Sequence, residues 1–287
     1  MPELPEVETI RRGLAPVLGG ARLARVTARR PDLRFPLPER FAQRLTGARI
    51  EALERRGKYL VAPLDTGETF LTHLGMTGRF TIAGAAGCSV PGRFERAAPP
   101  VAKHAHVTFE TDDGAIVTFY DPRRFGYMDL VPSTDIAGCR WFKGMGPEPL
   151  SPDFDAARLG RALAGRRQPI KSAMLDQRLI AGLGNIYVCE ALYRARLAPE
   201  RASGSISPGG LKRLARSVRE VLAEAIDAGG STLRDYARAD GGSGYFQHSF
   251  SVYGRGGEPC PRRGCGGEIQ RRVQSGRATF ACDRCQT

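Results

Sequence analysis

The chain predicts an α+β protein in which an opening helix precedes an antiparallel β-sandwich, a helical domain follows, and a small β-hairpin closes the sequence. Three observations carry that reading. Short strand-like runs fill the region from Val26 to Leu130. Beyond Gly144-Met145-Gly146-Pro147-Glu148-Pro149 the apolar spacing turns helical. Four of the seven cysteines then cluster as two pairs near the end. A length of 287 residues suffices for at least one sizeable core and suits two domains.

The opening helix follows from Pro5 at a first helical position, Glu6 and Glu8 in the first turn, and Val7, Ile10, Leu14 and Leu18 at helical spacing. The sandwich follows from Tyr59-Leu60-Val61, Thr69-Phe70-Leu71, Phe80-Thr81-Ile82, His106-Val107-Thr108-Phe109 and Ile116-Val117-Thr118-Phe119, with Asp113-Gly114 as a hairpin turn. The Gly-, Ala- and Pro-rich stretch from Gly84 to Pro100 reads as a surface loop. In the second half the clearest helix starts at Ser207-Pro208, carries Leu211, Leu214, Val218, Leu222 and Ala225, and stops at Gly229-Gly230. Asp240-Gly241-Gly242-Ser243-Gly244 then predicts a flexible segment that needs a ligand to order it. No internal repeat is present.

Charge indicates the partner. Forty-three Lys and Arg against thirty Asp and Glu leave +13, which favours a polyanion through long-range attraction and counterion release. Nucleic acid is the first expectation and a membrane surface the weaker one, because no stretch approaches the length of a spanning helix. The first twenty residues lack the apolar core of a signal peptide, so the chain is expected to be soluble and cytoplasmic.

Cys260 and Cys265 are separated by four residues and Cys282 and Cys285 by two, with sixteen residues between the pairs, close to a four-cysteine zinc site. Ile269 to Val273 and Ala278 to Ala281 form two strands around Gln274-Ser275-Gly276-Arg277, so one structural zinc ion would clamp the base of a hairpin too small to fold alone. Two disulfides are the disfavoured alternative, because nothing else marks a secreted protein. Cys88, Cys139 and Cys189 read as buried thiols.

Other residues suggest chemistry. Removal of Met1 would leave Pro2 as a secondary amine beside the Glu3 carboxylate. An α-amino group is partly unprotonated near neutral pH, and a secondary amine condensing with an aldehyde gives a charged iminium that withdraws electrons. The plainer alternative is a leader that only shapes the helix start. Lys58 suits a phosphate contact or proton transfer, Met76 and Phe125 suit wedging into a base stack, and Gly182-Leu183-Gly184-Asn185 places free N–H groups before a helix. For each, an ordinary structural role explains the residue equally well or better. His104 and His106 are expected two apart on one strand face, without a third ligand, and are not read as a metal site.

In combination, Met1-Pro2-Glu3-Leu4-Pro5-Glu6-Val7-Glu8-Thr9, Lys58, His73-Leu74-Gly75-Met76, Asp121-Pro122-Arg123-Arg124-Phe125-Gly126, Gly184-Asn185-Ile186-Tyr187 and the terminal cysteines resemble the bacterial formamidopyrimidine-DNA glycosylase family, in that family's order. The resemblance covers nearly the whole chain. It implies a bifunctional base-excision-repair glycosylase and AP lyase that removes oxidised purines, 8-oxoguanine and formamidopyrimidines, from duplex DNA. It implies helix and sandwich over 1–142, a linker over 143–151, a helix-two-turn-helix domain over 152–235, a lesion-capping loop and connection over 236–254, and a zinc finger over 255–287.

Transferred position by position, the resemblance makes Pro2 the nucleophile, Glu3 the adjacent acid and base, and Lys58 and Arg277 further proton-transfer or phosphate residues. Met76, Arg123 and Phe125 match the void-filling triad, with Arg123 facing the orphaned base. His73 falls in a matching motif and is expected at the DNA, while His104, Arg166, Asn185 and Tyr253 match positions near DNA phosphates. The expected partner is damaged double-stranded DNA, bound by a monomer with no membrane. Departures from the family pattern are the longer Cys260–Cys265 spacing, Gly242-Ser243 where Lys and Pro are frequent, Arg166 where lysine is usual, and a longer loop at 84–100. Two alternatives remain: an endonuclease VIII-type enzyme for oxidised pyrimidines, against which Leu4, Met76 and the Arg123/Phe125 pair speak, and a non-catalytic zinc-ribbon DNA-binding protein.

Overall fold

A computed structural model of the chain describes residues 2–84, 101–231 and 246–287. The expected loop beyond Gly84, Cys88 and the glycine-rich capping segment from Asp240 to Tyr245 therefore lie outside the described residues. The remainder forms two compact units, one holding 2–84, 101–143 and 228–231 and the other 144–227 with 246–287.

The first unit opens with α1 (Leu4–Leu18), whose Val7, Ile10, Leu14 and Leu18 are buried as the spacing predicts. After it come β1 (Leu23–Ala28), α2 (Phe41–Leu45), β2 (Glu54–Arg56), β3 (Tyr59–Pro63), β4 (Glu68–His73), β5 (Arg79–Ala83), β6 (Ala105–Thr111), β7 (Ile116–Tyr120) and β8 (Tyr127–Pro132). They make two antiparallel four-stranded sheets, ordered β1-β6-β7-β5 and β2-β3-β4-β8. Val26, Ile82, Phe109 and Phe119 of the first sheet share one core with Leu60, Phe70, Met128 and Leu130 of the second and with the apolar stripe of α1. That shared core makes the pair a sandwich. Gly114 sits at φ +85° in the β6–β7 turn, the left-handed conformation that glycine adopts without strain.

Two local expectations change. The helix α2 interrupts the strand-rich region; it buries only Phe41 and Leu45, one i,i+4 pair, too little for a helical period to show in sequence. His104 is not in a strand, because the 3₁₀ turn Ala102–His104 precedes β6, and only His106 belongs to the sheet.

The second unit contains α3 (Ala156–Leu163), α4 (Ile170–Met174), α5 (Asn185–Ala195), α6 (Pro208–Asp227), β9 (Ile269–Gln274) and β10 (Arg277–Cys282). In α6, Leu214, Val218, Leu222 and Ala225 are buried, matching the sequence stripe. α5 is apolar nearly all round and almost fully enclosed. Its Cys189 and Tyr193 share a second core with Val252, Ile269, Phe280 and Cys282, so the helical region and the hairpin hold one another. Among the described residues no helix is long and apolar enough to cross a membrane.

Candidate active site and nucleic-acid interface

In the first unit, the chain start is buried and fixed. Pro2 is buried and Glu3 is only 4% exposed. Glu3 is the N-cap of α1 in extended conformation, forming a reciprocal capping box with Glu6, whose Oε2 accepts the Glu3 N–H at 2.8 Å. The other Glu6 oxygen accepts from Ser231 N–H at 2.9 Å and from Ser231 Oγ at 3.0 Å. One buried carboxylate thus binds the residue after Pro2 to the segment beyond the C-terminus of α6, where Gly230 at φ +83° lies against the Glu6 side chain. From sequence alone Glu6 is only a first-turn acid. The Glu-x-x-Glu spacing is the signal that points to its capping role.

Lys58 is buried in the turn just before β3. Across the β3–β4 ladder Tyr59 pairs with His73, whose Nδ1 accepts the Gly75 N–H at 3.0 Å. Burial, reinforced by the Lys58 ammonium and the Arg34 guanidinium, pushes His73 down to about 3. His73 is therefore a neutral imidazole with Nδ1 as acceptor, and it stacks on Tyr127 at 4.9 Å. Trp141 also stacks on Tyr127, at 4.3 Å, and donates Nε1–H to Asp129 at 2.7 Å.

Two turns meet here. Asp121 is fully buried; its Oδ1 accepts from Thr77 Oγ1 at 2.5 Å and its Oδ2 from Gly126 N–H at 2.7 Å. Its own N–H donates to the His104 carbonyl at 3.0 Å, and His106 Nε2 donates to the Asp121 carbonyl at 2.9 Å. Gly75, at φ +63°, lies so close to the Phe125–Gly126 backbone that a Cβ would overlap it. The Gly75-Met76-Thr77 turn and the Arg123–Phe125 turn are thereby locked together. Phe125 remains 41% exposed, Arg123 lies over its ring at 4.7 Å, and Met76 is half-buried. An exposed aromatic beside an exposed guanidinium on a rigid turn has the form of a wedge for a base stack.

In the second unit, Asn185 starts α5 after Gly184, and its Nδ2 donates to the Ala278 carbonyl at 3.0 Å and lies 3.4 Å from Tyr253 Oη. Lys171, which sequence reasoning misses, is 1% exposed and donates to the same carbonyl at 3.0 Å and to Thr279 Oγ1 at 2.8 Å. Burial lowers its pKa. Two donors thus fix the strand directly after Arg277, whose side chain stays exposed. Glu190, fully buried, accepts the N–H groups of Ser251, Val252 and Tyr253 at 2.8 to 2.9 Å and holds the segment carrying Tyr253. Arg166 is exposed between α3 and α4. In sequence, neither Lys171 nor Glu190 differs from a solvated helix charge, because their partners lie 61 to 108 positions away.

The Sγ atoms of Cys260, Cys265, Cys282 and Cys285 all lie within 4.8 Å of one another. The Cys260–Cys285 and Cys265–Cys282 separations are 3.8 and 3.6 Å. These are too long for disulfides and match the roughly 3.8 Å edge of a tetrahedron with Zn–S bonds of about 2.3 Å. Tyr193 Oη sits 3.3 Å from Cys260 Sγ, an outer-shell partner for a ligand. Cys139 and Cys189 are buried free thiols, and among the described residues the four-cysteine group is the one metal-competent cluster.

Comparison with known proteins finds three matched regions. The family model for the formamidopyrimidine-DNA glycosylase N-terminal domain matches residues 1–128, the H2TH domain of that family matches 145–237, and the zinc finger found in FPG and IleRS matches 257–287. The formamidopyrimidine-DNA glycosylases of Caulobacter vibrioides and Phenylobacterium zucineum are 60% and 61% identical over 286 residues, covering 100% of both chains in each case. Among solved structures, a Lactococcus lactis FPG mutant bound to a Fapy-dG containing DNA superposes with a TM-score of 0.86 at 35% identity over 100% of both chains. The MutM (FPG) protein of Thermus thermophilus does so with 0.82 at 42% identity, over 99% of this chain and 98% of that one.

Fold and site therefore define a DNA glycosylase with an N-terminal sheet domain, a helix-two-turn-helix domain and a finger that holds one structural zinc ion. The chain belongs to the formamidopyrimidine-DNA glycosylase family.

Proposed function

We propose that this base-excision glycosylase and AP lyase works through Pro2, and that its preferred substrates are oxidised purines in duplex DNA. Once Met1 is removed, the Pro2 nitrogen attacks C1′ of the damaged nucleotide, the bond to the base breaks, and the base leaves with its electron pair and a proton. Ring opening of the sugar gives an iminium on Pro2. Its charged nitrogen acidifies the C2′ proton, so β-elimination cuts the strand on the 3′ side and δ-elimination follows. Glu3 is the acid and base next to the nitrogen, and Lys58 and Arg277 are phosphate or proton-transfer residues. The observation that carries this reading is the buried Pro2-Glu3 start fixed by Glu6, because an amine held in one position keeps the orientation that a displacement requires.

Extruding a base costs a few kcal/mol, and filling the gap offsets it. Met76, Arg123 and Phe125 fill it, with Arg123 facing the orphaned base. His73, His104, Arg166, Asn185 and Tyr253 complete the DNA contact surface, and the zinc ion acts structurally by holding the hairpin that presents Arg277. The working unit is a monomer of sandwich (1–142), linker (143–151), helical domain (152–235), capping loop and connection (236–254) and finger (255–287). It acts on chromosomal DNA in the cytoplasm, without a membrane partner.

Borohydride reduction during turnover, read by mass spectrometry, tests the proposal. Duplex containing 8-oxoguanine opposite cytosine should give a covalent adduct on Pro2 that disappears in Pro2→Gly or when Met1 is retained. An adduct that persists with Met1 in place overturns the nucleophile, and excision of thymine glycol with 8-oxoguanine ignored makes the enzyme one for oxidised pyrimidines.

A further inference from the structure

Beside the wedge lies an open cavity of about 370 Å³ lined by Leu33, Arg34, Arg123, Arg124 and Phe125. Three guanidinium groups meet on it, and among the described residues none of them forms an ion pair. Acids in the adjoining segments are engaged with other groups: Asp121 is buried and accepts from Thr77 and Gly126, and Asp32 is bound by Arg30 at 3.0 Å. The cavity is also built rather than accidental. The Arg34 N–H donates to the Gly126 carbonyl at 3.0 Å, joining the 31–37 segment to the wedge turn, and Arg124 is held at φ +54° by its N–H bond to the Asp121 carbonyl at 3.2 Å. A left-handed arginine is uncommon and persists only where the surroundings fix it. Two of the cations lie over rings, Arg123 over Phe125 at 4.7 Å and Arg34 over Phe35 at 5.6 Å, which limits their freedom before any ligand arrives.

We propose that Arg34 and Arg124 bind a phosphodiester of the DNA strand opposite the lesion, within a nucleotide or two of the orphaned base. Unneutralised guanidinium forks of fixed orientation match phosphate oxygens. The choice of strand rests on the proposed function, because Arg123, which faces the orphaned base there, and its wedge neighbour Phe125 form one wall of the same cavity. The contact would keep the opposite strand in register while the wedge is inserted.

The test measures the affinity of full-length zinc-loaded protein for lesion duplex across a salt series. Arg34→Gln/Arg124→Gln should bind on the order of tenfold more weakly at low salt, with a log–log slope shallower by about 0.9 for the one phosphate no longer neutralised. Arg34→Lys/Arg124→Lys should keep the slope. Single methylphosphonates placed in the opposite strand near the orphaned base should weaken the wild-type protein and leave the glutamine variant unaffected. An unchanged slope in the glutamine variant overturns the proposal, as does sensitivity confined to methylphosphonates in the lesion strand. Competition by inorganic phosphate at matched ionic strength, without any methylphosphonate effect, also overturns it by showing a free-anion site. The borohydride trap on the same duplex separates this inference from its premise: trapping with an unchanged slope removes only the Arg34/Arg124 contact, whereas no trapping removes the proposed function as well.

Discussion

The chain start in the first unit and the Arg277 hairpin in the second are both rigid, but they become so by different means. The start is an extension of a large core: α1 buries four apolar residues among two sheets, and the buried Glu6 carboxylate adds the last constraints. The hairpin has a core of a few side chains, and its base is four cysteines that give up their thiol protons and are joined only when a cation binds them. Lys171 and Asn185 then fix the strand that follows Arg277. Position can therefore come from hydrophobic burial refined by hydrogen bonds, or from a metal where burial is insufficient.

Zinc removal breaks that comparison most severely. Chelation should unfold residues 257–287 and weaken lesion binding more than about a hundredfold, since structural zinc contributes on the order of 10 kcal/mol to such fingers. Amide exchange should rise across β9 and β10 while α1 and both sheets stay protected. If the two units lose protection together, the separation is wrong.

Glu6→Gln is the counterpart in the first unit. It keeps the shape but replaces one acceptor oxygen by an amide that cannot accept from both Ser231 and Glu3, so stability should fall by about 1–3 kcal/mol in denaturant titration. The sheets should persist and Pro2 trapping should slow. Loss of the whole unit would show that the core alone does not hold α1.

Acid provides the finest distinction. His73 is held far below its ordinary value, so the unfolded chain binds a proton below about pH 6.5 that the folded unit refuses until about 3. Stability of the first unit should therefore be intact above 6.5 and fall as pH drops through that window, by at most about 1.4 kcal/mol per pH unit. His73→Asn should remove that component of the slope. The hairpin should instead lose metal as its thiolates protonate, so the two units should show separate acid profiles.

Much of this was legible in the sequence because it repeats locally. The α1 and α6 stripes, the short strand-like runs and the cysteine spacing are local signals, and each appears where expected. The members of the proposed site could be suggested only in combination: Phe125 alone resembles a core residue and Lys58 a surface charge. What stayed hidden was long-range pairing. Lys171 meets Ala278, Glu190 meets the backbone of Tyr253, and Glu6 meets Ser231 across 225 positions, and no local pattern announces a partner that far away. The convergence of Arg34 on Arg124 was hidden for the same reason, since a turn carbonyl at Gly126 creates it.

Trp141 is the chain's single tryptophan, and it is wedged into the Tyr127 stack with its indole N–H on Asp129. Intrinsic fluorescence excited at the red edge therefore observes one half of the molecule and is blind to the other. A melt followed by emission alone would score a protein with a collapsed finger as native, so any screen of variants in the second half needs its own optical probe.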